Sequence, residues 1–184
     1  WMLSQWGFNK QHPQVQRAIQ FVKERQEVDG CWFGRWGVNY IYGSFLALNG
    51  LNAIGEDMKA PFSRKAVVWL EAHQNEDGGW GETCQSYAEP SLRGRGKSTA
   101  SQTAWALLGL IAADEAESSA VKRGVRYLIE TQNDSGEFSG SWWEDEFTGT
   151  GFPVHFFIKY HMYQHFFPLM ALSRYRQAAG GKGH

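Results

Sequence analysis

Aromatic side chains are the most distinctive chemical groups of this 184-residue chain, which contains nine Trp, seven Tyr and twelve Phe. A core of this size does not need nine tryptophans, so several aromatic rings must line something else. Phe152, Phe156, Tyr160 and Tyr163 are spaced four, four and three residues apart. On a helix they would share one face. The face of an aromatic ring attracts a positive charge without bonding to it, so such a row can stabilise a cation.

Titratable side chains offer weaker candidates. His161 and His165 are one helical turn apart, but the residues between them lack the glutamate of a metalloprotease motif. We therefore expect no metal there. The acidic clusters at 115–117 and 144–146 lie in polar sequence. Solvated carboxyl groups keep a pKa of about 4, so we expect no strong acid in either cluster.

Charge and composition exclude several classes of function. Eighteen Lys and Arg residues against 19 Asp and Glu give a net charge of −1, which removes the electrostatic reason to expect a nucleic-acid partner. Two cysteines are too few for a disulfide scaffold. The sequence has no apolar run long enough to cross a membrane, and its first residues do not read as a signal peptide.

A threefold repeat organises the chain. The copies run from Arg17 to Trp32, from Lys65 to Trp80 and from Arg123 to Phe138. Each has a cation, a small residue, an aromatic, an aliphatic, a glutamine, a glycine and a second aromatic at matching positions. The glutamines are Gln26, Gln74 and Gln132. Apolar residues recur at i, i+3, i+4 and i+7 in every copy, which predicts an amphipathic helix with its turn at the glycine.

Different segments lie between these helices. The stretches 40–54, 99–113 and 160–175 are apolar nearly all round, which predicts buried helices, with a kink or a helix start at Pro168. No segment shows the alternation that would build a sheet. The sequence therefore predicts an all-α fold of helical hairpins, with outer amphipathic and inner buried helices in turn.

At this point the chain resembles a known family. The repeated unit is similar to the QW motif of triterpene cyclases. The chain resembles the C-terminal part of bacterial squalene–hopene cyclases. Besides the repeats, four segments carry this resemblance: Asp29–Gly43, Asn75–Glu82, Ser101–Leu107 and Gly149–Pro153. The resemblance implies that residues 1–177 form about half of an α6–α6 barrel. The glycine-rich residues 178–184 are expected to be a disordered tail.

The resemblance also implies an activity. In that family a strong acid protonates a terminal double bond of squalene, and the rings close through carbocations to give hopene or hopanol, with no metal or organic cofactor. The enzymes are monotopic, here on the cytoplasmic side of a bacterial membrane. The acid belongs to an Asp-x-Asp-Asp motif that this sequence lacks. We assign no catalytic acid here, expect it in the remaining N-terminal part, and expect this chain alone not to cyclise squalene.

Two sets of residues receive roles from the resemblance. The substrate cavity is expected to be lined by Trp36, Tyr42, Phe152, Phe156, Tyr160 and Tyr163, whereas Phe157, Phe166 and Phe167 are expected to be ordinary packing. The repeats are expected to act as structural braces that pair Gln26 with Trp32, Gln74 with Trp80 and Gln132 with Phe138. Because Phe138 replaces the usual tryptophan, the third brace is expected to be weaker.

Other functions stay open at this stage. The chain could be a non-catalytic α–α repeat module that binds a hydrophobic ligand or a partner, which the missing acid favours. It could be a carbohydrate-active barrel in which Asp77 and Glu82 serve as acid and base. A zinc site of the prenyltransferase type at Cys31 or Cys84 lacks an evident histidine partner. A half barrel should expose apolar surface, so we expect self-association or dye binding.

Overall fold

The computed structural model describes residues 2–180 of the chain. Within that range the fold is mostly helical, with one small antiparallel sheet. The helices are α1 (Met2–Gln5), α2 (Pro13–Glu24), α3 (Tyr40–Ala53), α4 (Pro61–Ala72), α5 (Ala100–Ala112), α6 (Ser119–Glu130) and α7 (Tyr163–Gly180). The strands are β1 (Gly149–Phe152) and β2 (Phe156–Ile158), and short 3₁₀ turns cover Cys84–Tyr87 and Pro90–Leu92.

The three repeats form the amphipathic helices α2, α4 and α6. Proline occupies the first turn of α2 and of α4, where a missing backbone N–H costs nothing. The Ser118 side chain accepts a hydrogen bond from the N–H of Val121 and so caps α6. Each helix buries one apolar stripe and exposes its charged face, as the periodicity predicts.

Helix α5 is the centre of the molecule. Twelve of its thirteen residues are buried, because α3 and α7 pack along two sides of it and α4 and α6 cover it from outside. Thr99 caps its N-terminus by accepting a hydrogen bond from the N–H of Gln102. The inner helices are therefore the nearly all-apolar segments, and the outer helices are the amphipathic ones.

Inner helices α3 and α5 occupy equivalent places in successive repeats. The N–H of Trp32 donates to Ser44 Oγ at 3.1 Å, and the N–H of Trp80 donates to Thr103 Oγ1 at 2.9 Å. Ser44 and Thr103 are therefore matching positions, 59 residues apart, and residues 41–53 of α3 correspond to residues 100–112 of α5.

The expectation of no sheet is wrong at residues 149–158. Strands β1 and β2 pair antiparallel, with Thr150 opposite Phe157. The aromatic rings of the partner segment lie directly on the glycines of β1, because a Cβ built on Gly149 or Gly151 would overlap Tyr160 or Phe156. The third inner helix, expected from residue 160, therefore begins at Tyr163, and Pro168 lies inside it.

The C-terminal boundary also differs from the expected one. Helix α7 continues to Gly180, so residues 178–180 are helical rather than part of a tail. The remaining residues of the expected tail, 181–184, lie outside the described residues.

Candidate functional site

The six candidate wall residues lie on one region, where the segment before α3 meets the small sheet. The N–H of Val38 donates to the carbonyl of Thr148, and the N–H of Thr150 donates to the carbonyl of Trp36, both at 2.9 Å. These bonds attach residues 36–38 to β1 through a single antiparallel bridge, with Gly37 opposite Gly149. The pairing brings the first-repeat aromatics Trp36 and Tyr42 beside the hairpin.

Glycines form the floor under three of the rings. A Cβ on Gly37 would overlap the ring of Tyr42, just as one on Gly149 would overlap Tyr160 and one on Gly151 would overlap Phe156. Opposite residues of an antiparallel pair share a face, as do alternate residues of one strand. The three rings therefore lie side by side on one face of the sheet.

Further rings extend this surface. Tyr160 stacks on Tyr163 with ring centroids 4.6 Å apart, and Phe152 contacts Phe156 at 5.9 Å. Behind them, the fully buried Trp105 lies 4.8 Å from Tyr42 and 5.8 Å from Tyr163. We call the set Trp36, Tyr42, Phe152, Phe156, Tyr160 and Tyr163 the aromatic wall.

The wall is one open surface. Trp36, Phe152, Phe156 and Tyr160 are between 40% and 58% exposed, whereas Tyr42 and Tyr163 are half-buried. The expectation that Phe152, Phe156, Tyr160 and Tyr163 share one face of a helix is wrong, since only Tyr163 is helical. They come together because the hairpin folds back on itself.

The phenols of Tyr42 and Tyr163 are neutral. Burial raises the pKa of Tyr42, and the nearby Tyr160 adds to this rise. Burial, together with Tyr42 and Tyr160, raises the pKa of Tyr163 to about 12. Neutral rings can face a positive charge without capturing it, whereas a phenolate would act as a nucleophile.

Two buried carboxylates cap inner helices. Glu82 Oε2 accepts hydrogen bonds from the N–H groups of Asn39 and Ile41 at 3.1 and 3.0 Å, at the start of α3. Glu144 accepts one from the N–H of Ser101, at 2.9 Å, at the start of α5. Glu144 is therefore buried, and the expectation that cluster 144–146 is solvated throughout is wrong. Their oxygens thereby satisfy backbone N–H groups that have no partner within the helix.

The two carboxylates of the carbohydrate-active alternative have structural partners. Asp77 accepts hydrogen bonds from the N–H of Gly79, in its own repeat turn, and from Ser98 Oγ, just before α5. Glu82 is buried at the helix α3 N-terminus. Two carboxylates that act on a sugar must both reach an open cleft, so this geometry does not favour the carbohydrate-active reading.

The burial of Glu82 gives a pH prediction. Burial raises its pKa above the ordinary value even though backbone N–H groups lower it. The folded state thus binds the Glu82 carboxyl proton more tightly than the unfolded state does. Protonated Glu82 therefore contributes to stability below the ordinary carboxyl pKa, and this contribution is lost as the pH rises through the raised pKa of the folded state. Each unit of such a rise corresponds to about 1.4 kcal/mol.

We therefore expect Glu82→Gln to raise the thermal midpoint at pH 7.5, and this gain to shrink as the pH falls toward 4.5. Thermal denaturation of the two proteins across that range measures the effect. Glu137→Gln, at an exposed position, should show no such trend. A gain that grows on acidification would contradict the argument.

The repeat residues link each outer helix to the next. Gln26 Nε2 donates to the carbonyls of Gly30 and Phe62, both at 2.7 Å, and Phe62 lies in the first turn of α4. Gln74 Nε2 makes the same pair of bonds to Gly78 and Ala120, at the start of α6. The indoles of Trp32 and Trp80 donate to the last turns of their own outer helices, at Val22 and Leu70.

The third brace uses Trp142, and the assignment to Phe138 is wrong. Trp142 Nε1 donates to the carbonyl of Leu128 at 2.7 Å, and Gln132 Nε2 donates to Gly140 at 2.8 Å. Trp142 is 1% exposed and Phe138 is 51% exposed. The third turn is four residues longer than the other two. Phe138 therefore follows its glutamine by the same six residues as Trp32 and Trp80 do, but Trp142 takes their place in the structure.

The sequence held a signal that identifies this tryptophan. Glu144 follows Trp142 by two residues, as Glu82 follows Trp80, and both glutamates cap an inner helix.

Among residues 2–180, no group of three or more His, Cys, Asp or Glu side chains is arranged to hold a metal ion. Cys31 is buried and free, and Cys84 is half-buried and free. No helix in the described part of the chain combines the length and the hydropathy that a membrane crossing requires.

Comparisons with known proteins agree on one family. The model of the squalene-hopene cyclase C-terminal domain matches residues 1–177. The chain is 51% identical over 173 residues to the squalene–hopene cyclase of Alicyclobacillus acidocaldarius, covering 94% of this chain and 27% of that protein. It is 48% identical over 181 residues to that of Zymomonas mobilis, covering 95% and 26%.

The chain is also similar to a dammaradiene synthase and, at low sequence identity, to a solved structure. A dammaradiene synthase of Dryopteris crassirhizoma is 46% identical over 176 residues, covering 88% of this chain and 25% of that protein. A crystal structure of a protein from Actinoplanes matches with a TM-score of 0.50 at 19% identity, over 68% of this chain and 35% of that one, and concerns the fold alone. The chain spans about a quarter of the length of the curated relatives it matches.

Proposed function

Because the chain belongs to the squalene–hopene cyclase family and matches its C-terminal domain, we propose that the whole protein cyclises squalene to hopene or hopanol and that this chain supplies the cation-stabilising wall of the cavity. The observation that carries the proposal is the aromatic wall, in which six aromatic side chains gather around the small sheet and three of their rings lie directly on glycines. Squalene is apolar, and its cyclisation produces positive charge at successive carbons.

The wall's residues would perform three tasks. Their faces would stabilise the carbocations, each by roughly 2 kcal/mol or more where water is excluded. Their fixed positions on the sheet would hold the polyene in a folded shape, so that ring closure pays little further entropy. Their neutral phenols would leave the cation without a nucleophile until the last step. The proton itself would come from the N-terminal part of the cyclase, since the sequence has no Asp-x-Asp-Asp motif.

The finer proposal on architecture is that the chain is about half of an α6–α6 barrel. Gly109 of α5 faces α3, since a Cβ there would lie 3.4 Å from Leu48 and from Phe45. Gly50 of α3 is its counterpart, and a Cβ there would meet nothing within 4 Å. The exposed Leu46 likewise corresponds to the buried Trp105. This face of α3 fits a preceding inner helix of the same kind.

The outer layer supports the same proposal at the other edge. Turn glycines Gly30 and Gly78 press against the next outer helix, with a Cβ 2.8 Å from Lys65 and 2.9 Å from Arg123. A Cβ on Gly140 would meet nothing within 4 Å. Within residues 2–180, Gln132 also has no acceptor beyond Gly140. This edge fits a following outer helix, which the N-terminal part of the cyclase would supply.

The test compares two proteins with squalene in detergent micelles. We expect the full-length cyclase that contains this chain to form pentacyclic hopene or hopanol, and the 184-residue chain alone to form none, because it lacks the acid. Gas chromatography with mass spectrometry measures the products. Hopene from the chain alone would contradict the placement of the acid. Tight polyprenoid binding by the full-length protein without any product would instead favour a non-catalytic binding module.

Exposed faces and an apolar substrate have further consequences under this proposal. The chain alone would self-associate or bind an apolar dye through the wall and the open face of α3, whereas a monodisperse, dye-free monomer would count against the half-barrel.

Squalene resides in bilayers, so the whole protein would be monotopic, on the cytoplasmic side of a bacterial membrane. Its release from membranes by detergent but not by salt tests this placement.

A further inference from the structure

Tyr87 lies behind the aromatic wall and contacts the segment that carries Trp36. It ends the short 3₁₀ turn Cys84–Tyr87 that follows the second brace. Its hydroxyl oxygen is 3.0 Å from the carbonyl oxygen of Gly34 and 2.7 Å from that of Gly37. These two carbonyls flank Trp36 on either side, so one phenol fixes the backbone around it.

The fixed backbone determines where two wall rings lie. The carbonyl of Trp36 itself accepts a hydrogen bond from the N–H of Thr150, so residues 34–37 are bonded from two directions. Gly37 is also the floor on which the ring of Tyr42 rests. A shift of Gly37 would therefore move Tyr42 as well as Trp36.

The ring of Tyr87 reaches the hairpin as well. It stacks on Phe157 of β2 with centroids 6.1 Å apart, and it contacts Phe33 edge-on at 5.6 Å. Phe157 is the immediate neighbour of the wall residue Phe156 and pairs with Thr150 of β1. Tyr87 thus contacts both segments that meet to form the wall.

The hydroxyl of Tyr87 keeps its proton. Burial raises the pKa of Tyr87, and the charge of the nearby Glu82 raises it further. Because the hydroxyl has one proton for two carbonyls, it donates to one or shares the bond between both. Either arrangement requires the protonated form.

We propose that Tyr87 is a positioning residue for the cyclisation, which holds Trp36 and Tyr42 at the angle and depth from which their faces meet the carbocations. This rests on the proposed function of the wall. Tyr87 itself lies one layer behind these rings and contributes through them.

The test uses Tyr87→Phe, which keeps both ring contacts and removes only the hydroxyl. Its control is Tyr127→Phe, at a half-buried tyrosine of the outer helix α6. In the full-length cyclase we expect Tyr87→Phe to lower kcat about tenfold, the scale of one lost buried hydrogen bond. We also expect a larger share of products that stop after one to three rings, while the control keeps the pentacyclic product. A loss of stability alone would lower the amount of active enzyme without changing the product ratio.

A second measurement does not depend on turnover. Fluorine NMR of the same proteins labelled with 5-fluorotryptophan, with the Trp36 signal assigned by Trp36→Phe, reports the surroundings of that ring. We expect Tyr87→Phe to shift or broaden the Trp36 signal and to leave that of Trp142 in place.

The outcomes separate the two proposals. A moved Trp36 signal with altered products supports the positioning role. An unchanged Trp36 signal overturns it, whatever the turnover, and so does an unchanged product ratio in an active enzyme. If Tyr87→Phe moves the Trp36 signal but the wild-type protein does not convert squalene, the structural coupling is supported and the proposed function is refuted.

Discussion

Trp142→Phe is expected to lower the free energy of unfolding of this chain by about 2 to 4 kcal/mol. The indole is almost fully buried and donates to the carbonyl of Leu128 at the end of α6. Phenylalanine would leave that carbonyl without its partner and would leave part of the tryptophan volume empty. Both losses fall on the brace that ties α6 to its turn. Urea denaturation followed by far-ultraviolet circular dichroism measures the change.

Phe138→Leu is the matched comparison, since Phe138 has the aromatic position of the repeat spacing but is half exposed. We expect this substitution to change stability by no more than about 0.5 kcal/mol. Equal losses in the two variants would restore Phe138 as the third brace residue and would contradict the four-residue insertion.

Trp36→Leu is expected to reduce squalene turnover by the full-length cyclase about 30-fold, because the loss of one desolvated cation–π contact raises the barrier by about 2 kcal/mol. Trp36 is half exposed in this chain and makes few contacts with the core, so its replacement should leave the thermal midpoint nearly unchanged. Steady-state kinetics with squalene, together with thermal denaturation, separate the two effects.

Trp143→Leu provides the control for that substitution. Trp143 is also an exposed tryptophan, but its indole N–H donates to Asp145 at 3.0 Å on the acidic loop. We expect full turnover from this variant. If both substitutions reduced turnover equally, exposed tryptophans would matter in general, and the specific role of the aromatic wall would be refuted.

The helical repeats could be predicted from sequence because three copies carry the same 3.6-residue periodicity. Glutamine, glycine and tryptophan recur in the first two copies at one spacing, and each makes the same bonds there. In the third copy Gly136 and Phe138 match that spacing by chance, while Gly140 and Trp142 occupy the structural positions. An ungapped comparison cannot separate the two pairs.

The small sheet and the buried glutamates could not be predicted in this way. Strands of four and three residues are too short to show an alternating pattern, and the rings of Phe156 and Tyr160 contact glycines of β1 only once the hairpin has formed. Glu144 looks like part of a solvated acidic run until α5 is placed beside it. The identities of the wall residues came from the family resemblance, whereas their four-residue spacing wrongly predicted a shared helix.

The direction of the braces has a consequence for how the polypeptide matures on the ribosome. Gln26 bonds to Phe62, 36 residues downstream, and Gln74 bonds to Ala120, 46 residues downstream. Each of these bonds can therefore form only after the first turn of the following outer helix has left the exit tunnel, so the array closes in the order of synthesis. The acceptors are main-chain carbonyls, so these two bonds do not depend on which side chains stand at positions 62 and 120.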